Sequence, residues 1–462
     1  MKNRALLLLL GALLTAGCAA GPNYKRPKVD VPAVYRGSAA DQSNDSSLGD
    51  QKWPEVFPDE ELQGLIRTAL RQNYDVRIAA ARILQAQAQL GITRADQLPS
   101  VAAGASASDQ RSPKSKIAPA FESNSNQVSI AFAWELDFWG RYRRSTEAAR
   151  ADLLSSEWAR QEVISALVGN LATAYFQLRE LDLELEISQN TLGSRRDSLK
   201  LTQLLADHGA TSMLDVRQAE QLVFTAAEQV PDLERRIEQQ ENFISILTGN
   251  NPGAVVRGRK LTEQPHAPEV PAGLTSALLE RRPDVRQAEQ QLIASNARIG
   301  VAKAAFFPQL NLTADGGFQS SALTSLFSGP AGLWSFGGAL TQPIFEGGRL
   351  RNNLRLTEAR QQEALLVYRQ TIQGAFREVS DALIGYRKSQ EFRVQQELLT
   401  RSAQDAAHLS DIRYQGGAAS YLEVLTSQTN YFSAELNLAQ AQRNELLALV
   451  TLYKALGGGW QN

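Results

Sequence analysis

The sequence contains an internal duplication with a period of about 208 residues. Gly91 recurs as Gly300, and residues 209–216 align with residues 417–424, each beginning with Gly-Ala. Duplicated segments build the same local unit twice. The chain is therefore expected to fold as two similar halves, each made of a helix, a β-hairpin and a helical hairpin.

Two long segments without proline, 141–230 and 344–462, favour long helices. Both are rich in Leu, Ala, Gln, Glu and Arg, which are good helix formers. Glycines at 209 and 416–417 interrupt them once each. A helix over residues 141–206 would be roughly 100 Å long, so a coiled coil or an extended bundle is required.

The last predicted helix carries two apolar seams. In alternating steps of three and four residues, one seam runs from Leu422 to Tyr453 and the other from Val424 to Ala455. On each seam, eight of ten positions are apolar. The seams lie about 200° apart around the helix, whereas a two-stranded coiled coil uses one seam. This pattern favours a cylinder of helices with a neighbour on each side; a helix in an ordinary bundle is the alternative.

Between the helices lie segments in which apolar and polar residues alternate. The predicted strands are 127–137 and 310–319, with weaker candidates at 101–108 and 333–342. Alternation over about ten residues is typical of transmembrane β-strands, and a soluble sandwich is the alternative. The polar segments 111–126 and 320–332 are predicted to be loops. Four strands cannot close a membrane barrel, and an open edge in lipid leaves backbone groups unpaired, so several chains would have to share one barrel.

The first 18 residues have the layout of a secretory signal, with a basic start and an apolar run at 5–14. This run is shorter than the roughly 20 residues that span a bilayer. Residues 14–18 resemble the bacterial lipobox, which predicts that Cys18 is lipidated and becomes the mature N-terminus. Cys18 is the only cysteine, so no internal disulfide can form. Ala19 follows it instead of Asp, which by resemblance favours the outer membrane; an ordinary signal with a chance cysteine is the alternative.

Composition excludes several function classes. The 48 Lys and Arg residues nearly balance the 49 Asp and Glu residues, which gives no electrostatic reason for binding nucleic acid. Three scattered histidines and one cysteine offer no metal-site spacing. Phosphate-binding loops and nucleophile elbows are missing from the sequence. We therefore predict neither enzymatic activity nor a cofactor or metal.

Four motifs resemble the TolC-like outer-membrane efflux family, in its lipoprotein branch that serves RND pumps. They lie at residues 21–27, 281–289, 299–308 and 343–350. The resemblance implies a mainly α homotrimer: an α-helical barrel in the periplasm and one shared twelve-stranded β-barrel in the outer membrane. It also implies a passive exit duct for drugs or other small toxic compounds, hence a role in multidrug resistance. The implied partners are a periplasmic adaptor, an inner-membrane RND pump and outer-membrane lipid.

The duplication and the resemblance together predict the domain boundaries. The chain begins with a signal peptide at 1–17 and a lipidated part of a periplasmic belt at 18–59. The first repeat, at 60–249, has its strand hairpin at 100–138 and its tip near 207–213, and a linker follows at 250–271. The second repeat, at 272–457, has its strand hairpin at 309–345 and its tip near 413–421, and a tail follows at 458–462.

The resemblance implies that the helical tips form a periplasmic gate and contact the adaptor. The gate residues it implies are Asp215, Arg413, Tyr414 and Glu423, and the adaptor contacts are Gly209, Ser212, Gly417 and Ser420. Two positions depart from the family pattern, because Thr426 replaces an acid and Ala419 an arginine. The charged ring would then be weaker or would move to Arg413, Asp207 or Asp411. Alternatively, Asp215 and Glu423 are only acids at helix starts, where the helix dipole favours them.

Two other functions remain open. One is an outer-membrane duct for type I protein secretion. The other is a non-channel trimeric coiled-coil lipoprotein, although such a stalk has no need of alternating hairpins at matching places in both halves.

Overall fold

A computed structural model describes residues 19–37, 47–114, 119–265 and 270–461. The helices are α1 (Trp53–Val56), α2 (Glu60–Gln72), α3 (Tyr74–Ala95), α4 (Arg141–Asp207), α5 (Met213–Leu247), α6 (Thr275–Arg281), α7 (Pro283–Ala304), α8 (Arg349–Gln415) and α9 (Tyr421–Ala455). The strands are β1 (Ser100–Ser112), β2 (Phe121–Leu136), β3 (Gln309–Ser320) and β4 (Gly332–Thr341). Short 3₁₀ turns lie at Leu48–Asp50, Leu261–Glu263, Leu323–Ser325 and Gly329–Ala331. This confirms the mainly α fold class with four strands per chain. The leader at 1–17 and the predicted lipidation site Cys18 lie outside the described residues.

The chain separates into two compact units. One comprises Met1–Lys28, Arg82–Glu157 and Gln287–Arg369, and it holds the sheet. The other comprises Val29–Ala81, Trp158–Arg286 and Gln370–Asn462, and it holds both helical tips.

The four strands form one antiparallel sheet in the order β1-β2-β3-β4. Phe132 of β2 lies opposite both Val101 of β1 and Ala314 of β3, and Ala314 lies opposite Phe336 of β4. Directly opposed residues share a face, so these side chains form an apolar row across the whole sheet. Within the described chain, the outer edges of β1 and β4 pair with no further strand.

The predicted loop at 111–126 is wrong at both ends, because β1 continues to Ser112 and β2 begins at Phe121. The added part of the hairpin is polar: Ser108 lies opposite Ser125, and Arg111 pairs with Glu122 at 3.3 Å. Backbone pairing continues here without an apolar face. A search for alternating apolar residues cannot detect such a strand.

Both halves of the chain contain the same kind of contact, in which a residue just before one helix binds the end of another. The Asn73 side-chain amide, just before α3, donates to the Leu247 carbonyl at the end of α5 (3.0 Å). In the second half, the Arg282 guanidinium, just before α7, donates to the Ala455 carbonyl at the end of α9 (3.1 Å). These contacts satisfy carbonyls that a helix end leaves unpaired. The chain leaves both ends through glycines with positive φ, Gly249 and Gly457.

Helix α9 has a neighbour on each side, as its two seams predict. Arg443, a charged position on the first seam, donates to the Glu180 carboxylate of α4 at 2.8 Å. Glu445, a charged position on the second seam, pairs with Arg393 of α8. The two charged residues that interrupt the apolar seams therefore form ion pairs with different helices.

Gly300 of α7 lies against the N-terminal segment, whereas its repeat partner Gly91 of α3 lies in open space. A Cβ on Gly300 would be 2.7 Å from the Ala20 carbonyl oxygen and 2.7 Å from Cγ of Arg144. Gly300→Ala is expected to destabilise the chain by about 1–3 kcal/mol. Gly91→Ala is expected to stabilise it by up to about 1 kcal/mol, because alanine favours helix. Thermal unfolding in detergent measures both stability changes. Midpoint shifts of the same sign in the two variants would contradict the close packing at Gly300.

Candidate functional site

The first helical tip, between α4 and α5, is a tight turn closed by hydrogen bonds of its own. Gly209 has φ +73°, and the Ala210 N–H donates to the Leu205 carbonyl at 2.8 Å. Ser212 then caps α5, because its hydroxyl accepts from the Asp215 N–H (3.3 Å) and its own N–H donates to the Asp215 carboxylate (3.4 Å). Asp215 thus completes a capping box.

The second tip, between α8 and α9, repeats the turn but not the cap. Gly417 has φ +71°, and the Ala418 N–H donates to the Arg413 carbonyl at 2.8 Å. Ser420 makes no side-chain cap. Glu423 lies 3.5 Å from the Arg413 guanidinium instead, in a pair of half-exposed side chains. The acid of the first tip is held by its own helix start, and that of the second by an arginine of the preceding helix.

A polar contact joins the two tips. The Tyr414 hydroxyl lies 3.3 Å from the Thr211 hydroxyl, and Thr211 also donates to the Asp215 carboxylate. The structure therefore links the predicted residues Tyr414 and Asp215 through Thr211. It places Arg413 with Glu423 in a separate pair, and it places Gly209, Ser212, Gly417 and Ser420 in or beside the turns.

An aromatic contact supports this link. The rings of Tyr414 and Tyr421 meet edge to face with centroids 5.2 Å apart. Tyr421 packs with Val424 and Ala219 in a small buried cluster, and burial raises the pKa of Tyr421 to about 12. Thr211 and Tyr421 are not among the residues that the sequence predicts for the tips. Their signals were a hydroxyl residue immediately before a capping serine and an aromatic residue at the first position of a helix.

Of the two other acids considered for the tips, Asp207 is exposed at the end of α4 and Asp411 is half-buried on α8. Burial raises the pKa of Asp411, and the Gln428 amide, which donates to both its carboxylate oxygens (3.1 and 3.3 Å), acts in the opposite direction. Asp411 is therefore held within its hairpin.

A second candidate site lies at the junction of the sheet with the helices. Trp139, between β2 and α4, stacks on Phe307 with ring centroids 4.7 Å apart, and its indole N–H donates to the Pro308 carbonyl at 2.7 Å. The Ala20 N–H donates to the Trp139 carbonyl at 2.8 Å. The chain just after the lipobox is thus fixed beside an exposed aromatic pair.

The described residues contain neither a metal site nor a membrane-spanning helix. In that part of the chain, no three His, Cys, Asp or Glu side chains are grouped to hold a metal ion. The helices there are each too short or too polar to cross a bilayer.

Comparisons with known proteins extend over nearly the whole chain. A family described as outer membrane efflux protein matches residues 65–250 and 274–458, one match in each half. The chain is 37% identical to the toluene efflux pump outer membrane protein TtgC of Pseudomonas putida, over all of this chain and 96% of that protein. It is 36% identical to the outer membrane protein OprJ of Pseudomonas aeruginosa, over 98% of this chain and 95% of that protein.

Solved structures give the same result for the fold. The outer-membrane channel OprN superimposes with a TM-score of 0.90 at 32% identity, covering 96% of this chain and 100% of that one. The open state of the MtrE outer membrane channel of Neisseria gonorrhoeae gives a TM-score of 0.87 at 32% identity, covering 96% of this chain and 99% of that one.

Proposed function

The chain belongs to the outer membrane efflux protein family, and from this premise we propose that it is the outer-membrane channel of a tripartite RND-type efflux system. It acts as a passive duct from the periplasm to the outside, without catalysis or a cofactor. Relatives named for toluene and antibiotic efflux pumps support small toxic compounds as its cargo.

The sheet carries this proposal. One of its faces is apolar and exposed, with Trp334 and Phe336 at 83% and 72% exposure. In lipid, unpaired strand edges cost several kcal/mol for each backbone group, so β1 and β4 need partners. We propose that β4 of one copy pairs with β1 of the next, and that three copies close a twelve-stranded barrel. In the periplasm the belt then combines residues 18–59, 250–271 and 458–462.

The position of the N-terminal segment supports a lipid anchor on Cys18. Ala19, the next residue, lies against Gly140 at the base of the sheet. Aromatic rings such as Trp139 and Phe307 favour the water–lipid interface. An acyl chain on Cys18 therefore enters the outer membrane at the level where the barrel begins.

We propose that the Tyr414–Thr211–Asp215 link and the Arg413–Glu423 pair form the periplasmic gate. The first joins the two hairpins of one protomer, and the second holds an acid beside the tip. The glycine turns at Gly209 and Gly417, with Ser212 and Ser420, form the surface that the adaptor contacts. The inner-membrane pump binds on the far side of that adaptor.

The function is tested in two assays. The lipidated protein, purified in mild detergent, is expected to be a trimer and to conduct ions in planar bilayers. A deletion strain is expected to become sensitive to apolar antibiotics and solvents, and the cloned gene to restore resistance. A water-soluble monomer without conductance would refute the channel and leave the structural lipoprotein. Loss of protein secretion with unchanged drug resistance would favour the type I secretion duct.

Tyr414→Phe is expected to raise the open probability of the channel about fivefold, because one net hydrogen bond contributes about 1 kcal/mol. Single-channel recording measures this change. Tyr74→Phe is the control, since Tyr74 is exposed on α3, away from both tips. Equal open probabilities in Tyr414→Phe and the parent chain would remove the hydroxyl link from the gate.

A further inference from the structure

A groove of about 520 Å³ lies over α9, between α4 and α8 and beside the start of α7. Small or apolar residues of three helices form much of its lining, among them Pro283, Ala382, Gly385, Ala448 and Ala455. A Cβ on Gly385 would meet open space. The size and the apolar walls of this groove suit a small organic molecule.

The charged residues of the lining are mostly acidic. They are two cations, Arg282 and Lys454, and four acids, Glu162, Asp284, Glu378 and Asp381. Arg282 is fully engaged, because its guanidinium donates to the Asp284 and Glu378 carboxylates at 2.7 Å each. It also donates to the Ala455 carbonyl at 3.1 Å. With four negative and two positive charges, the groove has a net charge of −2.

Two of the acids remain open to a ligand. Glu162 and Asp381 are accessible to solvent, and neither belongs to an ion pair in the described part of the chain. Partial burial raises the pKa of Glu162, and the neighbouring Asp284 carboxylate acts in the same direction, whereas Arg282 and Lys454 oppose it. Like charges that are held together repel each other. A cation that enters the groove relieves this repulsion.

The groove lies on one side of α9, and the segment before α2 lies on the other. Tyr453 marks the side of that segment, since its hydroxyl donates to the Gln51 carbonyl (2.8 Å) and its ring meets Phe57 edge to face (5.7 Å). Thr451, which lines the groove, is turned about 160° from Tyr453 around the helix. In the proposed cylinder of helices the belt is outside, so the groove opens to the inside of the duct.

We propose that this groove binds hydrophobic organic monocations as they pass along the duct. The inference rests on the proposed channel function, because cargo must enter the duct to reach this wall. The apolar walls bury the body of the ligand, and the Glu162 and Asp381 carboxylates attract its positive charge. An anion of the same size is repelled by the net charge. The groove therefore favours cationic over anionic cargo.

Tetraphenylarsonium and tetraphenylborate, two ions of nearly equal size and opposite charge, test this preference. Equilibrium dialysis measures their binding to the full chain in nonionic detergent, with protein-free micelles as the blank. The cation is expected to bind at least about tenfold more tightly than the anion. Asp381→Asn is expected to weaken cation binding about fivefold. Asp405→Asn is the matched control, because Asp405 is an exposed acid of the same helix that does not line the groove.

Filling the groove tests where the cation binds. Gly385→Met places a long side chain in the groove and is expected to abolish cation binding, while methionine favours the helix more than glycine does. Gly374→Met is the matched control, because Gly374 also has open space around it on α8 but lies about three turns away. It should bind the cation as the parent chain does. Crystals soaked in tetraphenylarsonium are expected to show an anomalous arsenic peak beside Asp381.

Equal affinity for the two ions overturns the proposal, as does unchanged cation binding in Asp381→Asn or Gly385→Met. Conductance of the same preparation in planar bilayers tests the channel separately. A conducting protein that binds neither ion loses this site and keeps the channel function. A non-conducting protein that binds the cation keeps the site and loses the channel function.

Discussion

Replacing Arg443 by methionine is expected to lower the free energy of unfolding by about 3–5 kcal/mol, the cost of leaving a buried charge without its partner. Arg443 is the cation 2.8 Å from Glu180, whose side chain is 2% exposed. A second buried acid, Glu184, lies one turn farther along α4. Urea unfolding followed by tryptophan fluorescence measures the loss.

Arg217→Met is the control for this loss. Arg217 pairs with Glu220 at 2.6 Å, but 67% of its side chain is exposed, so its removal is expected to cost less than about 1 kcal/mol. Arg443→Met combined with Glu180→Leu is expected to recover most of the lost stability, because both charges are then gone. Equal losses of unfolding free energy in Arg443→Met and Arg217→Met would show that burial does not determine how much an ion pair contributes to stability.

The same pair gives a pH dependence. Burial and the neighbouring Glu184 raise the pKa of Glu180 to about 7, from an ordinary value of 4.5, although Arg443 acts in the opposite direction. The folded chain therefore binds a proton more readily than the unfolded chain, so this group makes stability fall as pH rises from about 4.5 to about 7. In Glu180→Gln that fall is expected to be smaller, and the variant to be the more stable chain at pH 8. A steeper fall of stability with pH in Glu180→Gln than in the parent chain would contradict the raised pKa of Glu180.

Replacing Asp59 by alanine is expected to cost a similar 3–5 kcal/mol, because it leaves several buried donors unsatisfied. Asp59 is 1% exposed just before α2. Its carboxylate accepts hydrogen bonds of 2.9–3.2 Å from the backbone N–H groups of Glu61, Leu62 and Arg259 and from the side chains of Tyr175 and Gln264. One side chain thus joins α2, α4 and the linker after α5.

Glu60→Ala is the matched control, since Glu60 is the exposed neighbour of Asp59 and should change stability by less than about 0.5 kcal/mol. Tyr175→Phe removes one of these donors and also the acceptor of the Gly258 N–H (2.9 Å), and should cost about 2 kcal/mol. A loss for Asp59→Ala no greater than that for Tyr175→Phe would mean that the other four bonds contribute little.

Periodicity predicted the features that depend on apolar burial. The alternation through Ile130, Phe132 and Trp134 indicated β2, and the two seams indicated that α9 has two neighbours. Contacts between polar residues could not be predicted from periodicity. The strand that starts at Phe121 and the partners of Arg443 depend on which residues meet across the fold, and residue order within one segment does not contain that information.

At the tips, too, the sequence predicts local backbone structure but not contacts between distant residues. The glycines at 209 and 417 indicated the turns, because positive φ strongly favours glycine. The contact of Thr211 with Tyr414 could not be predicted, since 203 residues separate the two. Sequence likeness indicated which positions to consider at the tips, and only the folded structure shows their partners.

The unequal caps of the two tips have an evolutionary consequence. Asp215 is constrained by folding itself, because Ser212 and the start of α5 depend on it, whereas Glu423 holds only a solvent-facing arginine. After the ancestral gene doubled, selection could therefore reshape the second acid with little harm to the scaffold. A saturation library at each codon, sorted for surface expression, should accept many more amino acids at 423 than at 215.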